Sequence, residues 1–130
     1  MPTYTLPPGL EDIAELGDRA LGAIPAKLRA RIKGVSILVE DVADDETLAE
    51  LELENGWELT GLYRGTPFGQ ASGVVSHAPD LIVLYREPIL LEWIETGEDL
   101  FGLVRTVLIH EIAHHFGFSD AEIEKLEAEE

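Results

Sequence analysis

The chain has 130 residues, with 26 acidic against 9 basic and a formal net charge of −17. Such a surface repels phosphate backbones and anionic lipid, so neither nucleic acid nor a membrane surface is an expected partner. There is no cysteine, so no disulfide can form and any metal site must draw on His, Asp or Glu. The length suits one domain over residues 1–130 with a single core. The opening "MPTYTLPPGLEDI" has no basic stretch leading into an apolar run, and no apolar segment reaches membrane-spanning length, so a soluble cytoplasmic protein is the expectation.

Pro7 and Pro8 precede a segment in which Leu10, Ile13, Leu16, Ala20, Leu21 and Ile24 recur at helical spacing, with acids early and Arg19 later, as the helix dipole favours. This predicts an amphipathic helix broken near Pro25, followed by a short helical "AKLRARIK". The β-branched "VSILVE" after Gly34 reads as a strand, expected at the centre of the sheet. From Asp41 to Thr60 two readings stay open, a helix over "DETLAELELE" or a hairpin turning at Asn55-Gly56. "LTGLYRG" reads as a strand, "RGTPFGQASGVVSHAPD" as a long surface connection, and "LIVLYRE" as a further strand. Pro88 is placed to open a short helix, "PILLEWIE". Trp57 and Trp93 read as packing residues.

Thr96 and Asp99 have the spacing of a capping box before the longest helix, and Gly117 suits its C-terminus. Ser119 and Glu122 repeat the box ahead of a short acidic helix, "DAEIEKLEAEE". On the long helix, Phe101, Val104, Leu108 and Ile112 form the core face, with Leu103 and Val107 as a second apolar strip. Its C-terminal end, "VLIHEIAHHFGFSDAEI", sets ionisable groups in this apolar setting, where they need partners. His110 and His114 fall about 40° apart around the axis and about 6 Å along it, so both imidazoles can reach one ion. Glu111 lies about 100° round from His110, placed to address a water on that ion, whereas His115 lies about 140° away and points elsewhere. Catalytic zinc takes three protein ligands, and a left-handed Gly117 lets the chain reverse and return Asp120 as the third. Glu124 is the substitute. The bland alternative has the histidines hydrogen-bonded within a core and Asp120 favouring the N-terminus of the last helix. His77 reads as a solvated loop residue.

The pattern His-Glu-x-x-His-x-x-Gly-x-x-Asp resembles the zincin metallopeptidases, with Asp where the metzincin branch has a third His. "LPPGL", "IPAKL", "VSILVEDV", "GLYRGTPF", "IVLYREPIL" and "TVLIHEIAHHFGF" extend the likeness to the small bacterial zincin-like metallopeptidases called minimal zincins, over nearly the whole chain. The resemblance implies an α+β domain, with a small mixed sheet packed against a central metal-site helix. It implies His110, His114 and Asp120 as ligands of Zn²⁺ or another divalent metal, and Glu111 as the general base of peptide hydrolysis. The expected partner is a peptide or protein substrate. Tyr63, Arg64 and Tyr85 are candidates to assist the oxyanion, and "LIVLYRE" is either a sheet edge that aligns an extended peptide or an interior strand. The one methionine is Met1, so the methionine turn of full metzincins cannot be present, and ten residues after Asp120 supply no far wall to a cleft. The competing reading is a module that keeps the scaffold, even a metal, and holds a partner without cutting it.

Overall fold

The computed structural model describes residues 6–32, 34–65 and 80–128. Helix α1 (Leu10–Leu21) is followed by the single turn α2 (Ala26–Arg29), strand β1 (Ser36–Glu40) and helix α3 (Asp45–Glu50). Strands β2 (Gly61–Arg64) and β3 (Leu81–Tyr85) precede helices α4 (Arg86–Thr96), α5 (Leu100–His115) and α6 (Asp120–Ala128). The fold is α+β. The expected loop region between β2 and β3 falls largely at residues 66–79, and His77 with it, outside the described residues.

The sheet has the order β1-β3-β2, with β1 parallel and β2 antiparallel to β3. The expectation of a central β1 is therefore wrong: "LIVLY" is the interior strand. Ile82 and Leu84 turn into the main core, while Val83 and Tyr85 turn the other way, into a smaller cluster with Ala43, Leu48, Leu59 and Leu62. A strand covered on both faces has no reason to alternate polar with apolar residues. Among the described residues, strand β1 has only one covered face. Ile37 and Val39 pack on the main core, whereas Leu38 on its other face is 44% exposed.

The region left open between helix and hairpin forms α3, capped where Asp44 accepts the Thr47 N–H at 2.8 Å. Asn55 turns no hairpin; its side chain accepts the Trp57 N–H at 3.0 Å and starts a 3₁₀ turn, Gly56–Glu58. That turn leaves Trp57 52% exposed, so Trp57 is not a packing residue, whereas Trp93 does pack against the core.

Helix α5 lies at the centre of the main core, with α1, β2, α4 and α6 around it. Val104, Leu108, Ile109, Ile112 and Ala113 are fully buried, and Leu103 and Val107 nearly so, as an all-round apolar helix requires. Its cap differs from the expected box. Thr96 ends α4 ahead of a left-handed Gly97, and Asp99 alone caps α5 by accepting the Gly102 N–H at 3.0 Å. The C-terminus is as expected: Gly117 has φ +79°, and the N–H groups of Phe118 and Gly117 bond back to Ala113 O (2.9 Å) and His114 O (3.1 Å). This six-residue closure turns the chain sharply. Ser119 Oγ then accepts the Glu122 N–H at 3.2 Å, and Glu122 accepts the Ser119 N–H at 3.0 Å, fixing the start of α6. Among the described residues, no helix is long and apolar enough to cross a membrane.

Candidate metal centre

One helical turn separates His110 from His114, and their rings stack with centroids 4.6 Å apart and planes 23° from parallel. Reversal at Gly117 lays α6 back along α5. Asp120, the first residue of α6, brings Oδ1 to 3.8 Å from His114 Nε2. Two turns later, Glu127 brings Oε1 to 3.5 Å from His110 Nδ1. Each imidazole thus faces one carboxylate of the last helix, and Asp120 pairs with His114 but not with His110. The four side chains do not share one point: among the described residues, no three His, Asp or Glu side chains converge closely enough to hold an ion. Asp120 is 97% exposed, so no packing fixes its carboxylate. The donor chemistry nevertheless fits a divalent metal of the zinc type, with two imidazoles on one helix face and an unpacked carboxylate beside them. Glu124, the substitute ligand, is exposed on the same helix.

Glu127 was not singled out by sequence reasoning. The signal was there: seven residues is nearly two full helical turns, which returns Glu127 to the face that carries Asp120.

Glu111 turns inward instead, against β2. Gly61 makes the room: a Cβ there would come to 2.8 Å from Val107 and 3.4 Å from the Glu111 side chain. Burial, with loss of hydration of the charged form, pushes the Glu111 carboxyl up to about 7. With His110 and Val107, it lines a cavity of about 260 Å³ that Thr60, Leu103 and Thr106 help close. A carboxyl raised to about 7 at the wall of a cavity that His110 also lines is equipped to take up and return a proton.

His115 points away from the pair, as its angle requires, and stacks on Tyr63 with centroids 4.0 Å apart and planes 19° from parallel. Tyr63 donates its hydroxyl to Asp80, and burial with that bond raises its pKa. Arg64 bonds Thr47 and Glu50 of α3, and Tyr85 is 1% exposed in the smaller cluster. Arg64 and Tyr85 thus belong to the face of the sheet turned from α5. Strand β3, flanked on both sides, cannot accept a peptide strand. Strand β2 is the edge next to α5 among the described residues. The Tyr85 N–H bonds Thr60 O at 2.9 Å, so by the alternation of an antiparallel ladder Gly61 and Tyr63 direct their backbone polar groups outward.

A family profile described as zincin-like metallopeptidase matches residues 32–130. The chain belongs to that family, which implies a metal, usually zinc. No curated protein matches the chain. Among solved structures, it resembles a conserved hypothetical protein from Thermus thermophilus with a TM-score of 0.58 and 25% identity, over 83% of this chain and 94% of that one. That likeness supports the fold and carries no activity with it.

Proposed function

We propose that this member of the zincin-like metallopeptidase family is a zinc-dependent peptidase, with His110, His114 and Asp120 as metal ligands and Glu111 as general base. The observation that carries the reading is the placement of Glu111: it lines a cavity together with His110, with its carboxyl raised to about 7 by burial. Metal binding by the two histidines and Asp120 does not require such a residue. When bound, zinc supplies Lewis acidity, polarising the carbonyl under attack and making water a better nucleophile. Glu111 takes the proton of the attacking water and returns it to the departing amine, which balances the hydrolysis. The outward groups of Gly61 and Tyr63 hydrogen-bond an extended substrate along β2 beside α5, with side chains alternating away from the strand. The partner is accordingly a peptide or an unfolded protein segment.

The second reading, a module that binds peptide along the same strand without cleavage, rests on the same β2 edge among the described residues. The decisive measurement is digestion of a peptide library by metal-loaded parent and Glu111→Gln. Metal-dependent cleavage that falls by about 10² to 10⁴ in the variant, with metal content unchanged, supports the peptidase. Peptide retained equally by both forms with no cleavage by the parent selects the binding module.

A further inference from the structure

We propose that Glu127 is a positioning residue for the metal centre: it accepts a hydrogen bond from His110 Nδ1 and so leaves Nε2 as the ligating atom. The inference rests on the zinc-site reading and extends it to the last two turns of the chain. The two nitrogens of His110 are not equivalent here. Nδ1 lies 3.5 Å from Glu127 Oε1, whereas on the neighbouring turn it is Nε2 of His114 that faces Asp120 at 3.8 Å. An imidazole that ligates through one nitrogen usually presents its other N–H to an acceptor, which selects the tautomer and holds the ring plane. Glu127 is built for that task more than for ligation. It is 27% exposed, against 97% for Asp120, because Ile123 and Leu126 beside it are buried against α5 and hold the helix down. A carboxylate constrained by packing fixes a direction, and one in open solvent can move onto an ion. Helix α6 therefore supplies both a ligand, at its first residue, and the orienting group for a ligand on α5, two turns later.

The test is zinc affinity of the full chain, measured by competition with a chromophoric chelator, for the parent, Glu127→Gln and Glu127→Ala. The metal-free forms are melted in parallel to check folding. Removing the acceptor in Glu127→Ala should weaken zinc about 10- to 100-fold, while Glu127→Gln, which keeps a carbonyl oxygen, should recover most of that loss. Long-range ¹⁵N–¹H correlation on the zinc-loaded parent should place the His110 hydrogen on Nδ1. An alanine variant within about twofold of the parent overturns the assignment, as does a glutamine variant as weak as alanine, which would make Glu127 a charged ligand. If Glu127→Ala does not fold, the glutamine variant and the location of the His110 hydrogen in the parent decide alone. A parent that binds no zinc removes the underlying reading as well, whereas a zinc-binding parent with indifferent variants removes only the role of Glu127.

Discussion

Glu111→Gln should make the metal-free protein more stable at alkaline pH while leaving it nearly unchanged in acid. In the folded chain burial raises the Glu111 carboxyl from 4.5 to about 7, so between these values the folded state holds a proton that the unfolded state has lost. The raised group's contribution to stability is present in full below about 4.5 and is lost as pH rises through about 7. That rise from 4.5 to about 7, at about 1.36 kcal/mol per pH unit, bounds the loss at about 3 kcal/mol. Water reaches part of the side chain, and screening there brings the expected figure to about 1–2 kcal/mol. Glutamine is close in size and never ionises, so it escapes the loss. Urea melts of both proteins in chelator at about pH 5 and about pH 8.5 measure it: the difference between variant and parent should grow by about 1–2 kcal/mol toward the higher pH. Equal curves at both pH values would show that the carboxyl is solvated in the folded state, and the account of its environment would fall.

His114→Ala should abolish stoichiometric zinc binding by the full chain, read by metal analysis after desalting; binding as tight as the parent's would place the ion elsewhere. Gly61→Ala should separate β2 from α5, because the added methyl meets Val107 at 2.8 Å and the Val83 carbonyl at 3.3 Å. The expected cost is about 1–3 kcal/mol by thermal melting, with a larger proportional loss of peptide turnover. Ser119→Ala removes the cap of α6, and chemical denaturation should show a loss of about 1 kcal/mol; a parent-like variant would mean that buried Ile123 and Leu126 seat the helix without its cap.

Features set within a few residues were readable from the chain: the buried helix that carries His110 and His114, its stop at Gly117 and the Ser119–Glu122 box. Each depends on spacing along one helix or on a single turn. The order of the strands was not readable, because "VSILVE" and "LIVLYRE" have similar propensities and differ only in what covers their second face. For β3 that cover comes from the cluster around Val83 and Tyr85, to which Leu48 of α3 contributes. Whether Asp45–Glu50 is helix was itself undecided in the sequence, so the strand's place could not be deduced. The strand order also decides between the two readings of "LIVLYRE": it is interior, and among the described residues β2 is the edge beside α5, with Gly61 against Glu111. The capping error has a similar cause. Thr96 and Asp99 have the spacing of a box, but Gly97 between them takes φ +70° and ends the preceding helix there, a conformation that pairwise spacing cannot reveal.

The turn at Gly117 is what brings the end of the linear motif back beside its histidines. In an unbroken helix Asp120 would lie about 15 Å along the axis from His110, beyond the reach of any shared ligand. With the chain reversed, α6 runs back beside α5, and the separation of Asp120 from Glu127 spans the histidine pair in the opposite direction. Placing a side chain at a left-handed position costs about 1–2 kcal/mol, so glycine there favours the reversal over continued helix. The acidic end of this chain, which composition alone reads as a solvated surface, then has a divided role. Ile123 and Leu126 anchor α6 to the core, and that anchoring runs the helix past both imidazoles, with Asp120 on the side of His114 and Glu127 on the side of His110.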